Sequence, residues 1–167
     1  MVGKAGILVI SLDFELYWGV RDLYTKAEYG SKWLQEREWI PPMLKMFKNA
    51  GIHATWATVG MLFFANQREL LEGIPELRPS YMDSRLSPYA EIEAGTAGEG
   101  EIEDPASFAP SLIEQIRQTP GQAIGSHTFS HYYCSEKGQT AEEFYSDLQA
   151  AVAIAQKRGI SLQSLVL

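Results

Sequence analysis

Two histidines, His127 and His131, stand four residues apart in a chain that has only three. On a helical turn that spacing puts both imidazoles on one face, able to chelate a single divalent ion. A second pair of reactive side chains lies near the N-terminus, where Asp13 and Glu15 flank Phe14. In an extended segment alternate side chains point the same way, so the two carboxylates share a direction. Two acids at the end of a buried strand repel each other and resist desolvation unless a cation or a donor balances them. Two neutral imidazoles and one carboxylate make a three-ligand set for Zn²⁺ or a similar ion and leave positions open for water. Such an ion lowers the pKa of its water toward about 7, and the remaining carboxylate is free to act as general base. That division of labour is a hydrolase, with the roles of Asp13 and Glu15 open to exchange. Cys134, three residues beyond His131, offers a thiolate alternative, although a lone cysteine more often packs as a small hydrophobe.

These residues need a scaffold that brings distant segments together. Ile7 to Leu12 is apolar apart from Ser11 and reads as a strand buried on both faces, ending at Asp13. Ile40-Pro41-Pro42 opens a helix, since proline suits a first turn; Met43, Leu44 and Phe47 form its stripe and Gly51 its C′ stop. Ile52 to Val59, rich in β-branched and aromatic residues, is a second strand. Gly60 leads from it into a short apolar helix, Met61 to Ala65. Phe108 to Gln118 is helical, with Leu112, Ile113 and Ile116 on one face. A third strand over Gln122 to Ser126 runs directly into His127. Thr140-x-x-Glu143 is a capping box that starts a helix with Phe144, Leu148 and Val152 as its stripe, stopped by Gly159. Ile160 to Leu167 reads as a fourth strand. Alternating strands and helices predict an α/β fold, with functional residues collected at the C-terminal ends of parallel strands.

Composition narrows the function classes. With 167 residues, 46% hydrophobic and 21% charged, the chain is expected to form one domain, 1–167. Its net charge of −7 gives no general attraction for phosphate backbones, so nucleic acid is a poor partner. Six acids, Glu91, Glu93, Glu99, Glu101, Glu103 and Asp104, occupy a stretch without Lys or Arg. Setting them aside leaves 15 acids against 14 bases. From about 66 to 105 periodicity is lost, and this acidic segment reads as a solvated loop insertion. Its Gly95-x-x-Gly98-x-Gly100 lacks the preceding strand and the following Lys of a phosphate loop. A single cysteine requires no oxidising compartment. No apolar run approaches the ~18–20 residues of a membrane span, and Lys4 is followed by too short an apolar run for a signal peptide. A cytoplasmic protein with no membrane partner is the expectation.

Three segments carry a family likeness. Ser11-Leu12-Asp13-Phe14-Glu15 resembles the first motif of the polysaccharide deacetylase (NodB-homology) family, and Ser126-His127-Thr128-Phe129-Ser130-His131 resembles its second, a His-Ser/Thr-x-x-His pattern. Between them Ala54-Thr55-Trp56-Ala57-Thr58-Val59-Gly60 is similar to the family's second strand. The first motif departs from the usual adjacent pair of aspartates by spacing an Asp and a Glu. The resemblance implies a distorted (β/α) barrel, with this chain as its N-terminal part, and removal of N-acetyl groups from a carbohydrate. It further implies that Asp13 is the catalytic base and that Glu15, His127 and His131 hold Zn²⁺, or Co²⁺ or another divalent ion. Trp18, Trp56 and Tyr132 are then candidates to stack on sugar faces. The family's later motifs, which supply an arginine, an oxyanion donor and a general acid, would follow Leu165-Val166-Leu167. Two alternatives follow: a metal-binding but catalytically incomplete module that binds glycan or depends on a partner, a second copy or a C-terminal half covering its open sheet edge, and a hydrolase of small linear or ureide-type amides.

Overall fold

The computed structural model describes residues 6–167; Lys4, used in reading the N-terminus, lies outside them. Three parallel strands, β1 (Ser11–Phe14), β2 (Ala54–Thr58) and β3 (Gln122–Ser126), form one sheet in the order β1-β2-β3. The register sets Asp13 beside Ala57 and Trp56 beside Ile124. Short helices α1 (Lys26–Tyr29), α3 (Gln67–Gly73) and α4 (Tyr89–Glu93) accompany three longer ones, α2 (Lys32–Ala50), α5 (Pro110–Gln118) and α6 (Ala141–Lys157). Apolar stripes of α2 (Trp33, Ile40, Leu44, Phe47) and α5 (Leu112, Ile113, Ile116) are buried, and Trp56 of the sheet meets Phe14 and Phe47 edge-on or tilted. This layer holds the sheet from one side, while α6 packs on the 3₁₀ turn Gly60–Phe63. That turn takes the place of the expected helix over Met61–Ala65.

β3 and the capping box of α6 fall where the sequence predicts them, and Gly51 ends α2 in the left-handed conformation at φ 62°. Other elements differ. β1 starts at Ser11, and Ile7, Leu8 and Val9 are 90%, 85% and 77% exposed rather than buried on both faces. Strand β1 is paired on one side only, and its upstream contact with β2 is Thr55 N–H to the Ile10 carbonyl, so the preceding apolar residues have no sheet neighbour. The expected fourth strand shrinks to one bridge, Ser126 with Leu165, where Ser126 N–H donates to Ser164 and Val166 N–H to Ser126. The sheet among the described residues is therefore open and three-stranded, and no barrel is formed there.

Helix α2 begins at Lys32, eight residues before the predicted start, and runs through Pro41 and Pro42. Two interior prolines forfeit amide donors. The first half of the helix is held instead by buried Trp33 and by Arg37, whose guanidinium donates to the carbonyls of Pro105 and Phe108 and pairs with Glu101. The 66–105 segment is likewise no solvated loop: it carries α3 and α4, with Leu70 and Ile92 fully buried. Three of its acids find cations from distant sequence, Glu91 on Arg21 at 3.2 Å, Asp104 on Lys26 at 2.5 Å and Glu101 on Arg37, while Glu93 pairs at 2.6 Å with Arg78 of the same segment. The buried face of α6 is also rotated from the predicted stripe. Val152 is 41% exposed, and Glu143, Asp147, Ala151, Ile154 and Ala155 face inward because two of these acids have donors waiting.

Candidate metal centre

Parallel pairing places the ends of β1 and β3 on one edge of the sheet, separated by β2. Glu15 follows β1 directly and precedes a 3₁₀ turn, Leu16–Gly19. Gly19 lies under the Glu15 side chain so closely that a Cβ there would fall inside its carboxylate. His127 follows β3, and its N–H donates to the Thr58 carbonyl at 3.0 Å. The segment from His127 to His131 is a loop and not the helical turn assumed from the spacing: Thr128 and His131 have φ of 63° and 56°. Such values are costly for residues with a side chain and persist only where surroundings enforce them.

Ligand-capable atoms of Glu15, His127 and His131 all lie within 4.8 Å of one another. One carboxylate oxygen, Glu15 Oε2, sits 3.3 Å from His127 Nε2 and 3.2 Å from His131 Nε2. Charge-assisted N–H···O⁻ bonds are usually shorter, about 2.7–2.9 Å. Two ligands held at about 2.0–2.1 Å by a tetrahedral ion are instead separated by roughly 3.3 Å. The donor set therefore suits a divalent ion. The far nitrogen of His127 strengthens the match, because Nδ1 lies 3.1 Å from the Val166 carbonyl. A proton held on Nδ1 by that acceptor leaves Nε2 with its lone pair directed at the cluster. His131 Nδ1 is buried without a hydrogen-bond partner among the described residues.

Electrostatics follow from this grouping. Burial works to raise the pKa of Glu15, but the hydrogen bonds and charges of His127 and His131 outweigh it and bring the carboxyl down to about 2. Burial opposes protonation of His127, yet its bonds to Glu15 and the Val166 carbonyl, with the charges of Asp13 and Glu15, hold its pKa above the ordinary value. Glu15 is thus held ionised beside the two imidazoles, the charge state that a metal ligand requires.

Asp13 stands beside this trio but outside it, exposed at the strand end. It lines a cavity of about 420 Å³ together with Glu15, Tyr29, Glu36, Trp39 and Trp56. Burial, and then the charge of Glu15, raise the pKa of Glu36 against the lowering effect of its bond from Tyr29. The three rings predicted to face a sugar are almost wholly covered, Trp56 included although it backs the cavity. Trp18 is 1% exposed with its indole N–H on the Ser107 carbonyl, Trp56 is 2% exposed with its N–H on Gln122, and Tyr132 is 7% exposed with its hydroxyl on Gln139. They are core residues whose polar tips are satisfied internally. Trp39, by contrast, is 70% exposed on the cavity wall. Cys134 is not among the clustered ligand atoms; its thiol approaches the Tyr132 carbonyl.

Sequence reasoning did not single out Gly19, Val166, Trp39 or Asp147. Nothing local marks a carbonyl or a glycine as supporting a ligand, and an acid on a helix reads as surface. Together, fold and site define an α/β protein with a two-histidine, one-carboxylate cluster at the C-terminal ends of parallel strands. Residues 28–161 match the family model described as Polysaccharide deacetylase, and the chain belongs to that family. The match includes His127 and His131, whereas Asp13 and Glu15 precede it. No significant match was found among curated proteins or among solved structures. No helix among the described residues is long and apolar enough to cross a membrane.

Proposed function

We propose that this protein is a metal-dependent hydrolase that removes N-acetyl groups from a carbohydrate. One observation carries the reading: in a chain of the polysaccharide deacetylase family, a single oxygen of Glu15 lies at ligand-edge distance from two imidazole nitrogens. Glu15, His127 and His131 would hold the ion. A bound Zn²⁺ would supply positive charge to acidify a water and polarise the acetyl carbonyl. Asp13 is left outside the ligand set, exposed and two residues before Glu15, and is suited to take a proton from the attacking water. The cavity beside Asp13 admits the sugar, with Trp39 offering a ring face for stacking.

Elemental analysis of purified protein, paired with acetate release from N-acetylglucosamine oligomers, tests the proposal. We expect about one equivalent of divalent metal, its loss in His127→Ala and Glu15→Ala, and acetate release that chelation stops and Zn²⁺ or Co²⁺ restores. Asp13→Ala should keep the metal and lose turnover. Unchanged metal content in both ligand variants would overturn the site. Metal retention without any acetate release would instead make the chain a catalytically incomplete metal-binding module.

A further inference from the structure

The loop carrying the two histidines is held from three directions. On one side Gly60 N–H donates to the Thr128 carbonyl at 2.9 Å and Met61 N–H to the Phe129 carbonyl at 3.1 Å. Within the loop, Thr128 N–H donates to Ser126 Oγ and Tyr132 N–H to Thr128 Oγ1. On the third side stands Asp147, from the second turn of α6. Its Oδ1 accepts the Phe129 N–H at 2.6 Å, and its Oδ2 accepts the Ser130 hydroxyl in a short bond. Asp147 is only 1% exposed, and burial pushes its carboxyl up to about 6 against the opposing effect of those donors.

A buried acid is expensive, and here its donors lie between the two positive-φ residues Thr128 and His131. We infer that Asp147 is a positioning residue for the metal centre: by gripping Phe129 and Ser130 it imposes the backbone bend that turns His131 back toward Glu15. This rests on the reading of Glu15, His127 and His131 as ligands. Asp147 touches none of the three, so its effect is transmitted through the loop backbone. Partners that orient metal ligands at one remove are typically worth 10–100-fold in affinity when removed.

The test is Zn²⁺ affinity by competition with a chromophoric chelator, together with thermal melting of metal-free and Zn²⁺-loaded protein. For Asp147→Ala we expect Zn²⁺ binding weakened ~10–100-fold, so that the rise in melting temperature produced by Zn²⁺ shrinks. A purely structural role would lower both melting temperatures together and keep that rise intact. Asp147→Asn, which retains an acceptor for the Phe129 N–H, should recover most of the affinity. It also serves as the test variant if the alanine protein does not fold, a few-fold loss being expected. Zn²⁺ affinity within twofold of wild type in the folded variant overturns the inference. His127→Ala is measured alongside: if it too binds Zn²⁺ normally, the ligand assignment itself has failed, and not the role of Asp147 alone.

Discussion

Gly19→Ala separates the metal site from the fold. The added Cβ would fall inside the Glu15 carboxylate, while the Gly19 backbone has no positive φ to forbid alanine. Carbon and oxygen atoms need about 3.5 Å, so the carboxylate must retreat by more than about 1 Å. Metal–ligand distances tolerate only about ±0.2 Å, which removes Glu15 from the ligand set. Losing a direct ligand should exceed the 10–100-fold cost of losing an outer partner, so Zn²⁺ affinity is expected to fall at least 100-fold. Stability of the metal-free protein should hardly change. Only the partly exposed contacts of Glu15 with two imidazoles are lost, a change of about 0–1 kcal/mol. In a chain of this size that lowers Tm by no more than about 4 °C. Chelator competition and differential scanning calorimetry on the same preparation measure both quantities. A variant that binds Zn²⁺ within threefold of wild type would refute the placement of Glu15 as a ligand. A fall in Tm of 10 °C or more would refute the claim that Gly19 serves the site rather than the core.

Gly60→Ala should cost stability directly. Its Cβ would meet Phe129 Cα at 2.9 Å and Cδ2 at 2.8 Å, and backbone cannot swing aside, so about 1–3 kcal/mol of overpacking is expected in urea unfolding. Above about pH 6.5, where only His127 changes charge in this pair, the melting of the metal-free protein should depend on pH in the reverse sense to metal binding. His127 has a folded pKa above its ordinary 6.5, so its contribution is present below that value and fades as pH rises through the higher folded pKa. That of Glu15, whose pKa drops from 4.5 to about 2, is present above 4.5 and disappears as pH falls through 2. Zn²⁺ affinity should instead rise as pH increases and the imidazoles lose their protons, measurable by the same chelator competition from pH 6 to 8. Finally, Trp39→Ala should raise KM on chitooligosaccharides without changing Tm, whereas Trp18→Ala should cost about 3–5 kcal/mol of stability, as a fully packed ring does.

Much of the scaffold was legible because its signals are local. Gly51 and Thr140-x-x-Glu143 mark helix ends by backbone chemistry that no distant contact alters, and the β3 strand and α5 stripe follow from short runs of residues. What sequence misplaced depends on remote partners. Pro41-Pro42 signals a helix start, yet Arg37 and Trp33 find carbonyls and a core elsewhere and carry the helix past it. The acids between Glu91 and Asp104 read as solvated until Arg21, Lys26 and Arg37 arrive from sequence more than sixty residues away. At the site, residue type and order identified the three clustered side chains, but not the geometry that joins them. Histidine spacing suggested a helical face, whereas a strained loop does the work, and that loop is fixed by Asp147 on an element whose pattern pointed to Phe144, Leu148 and Val152.

The Val166 carbonyl that faces His127 Nδ1 has a practical corollary. The segment around Leu165 is joined to β3 by two backbone hydrogen bonds, Ser126 N–H to Ser164 and Val166 N–H to Ser126, so the tautomer of an imidazole depends on that one short bridge. Val166→Pro, which removes the N–H that donates to Ser126, would loosen this carbonyl and free the ring to flip, muting the centre without unfolding the protein.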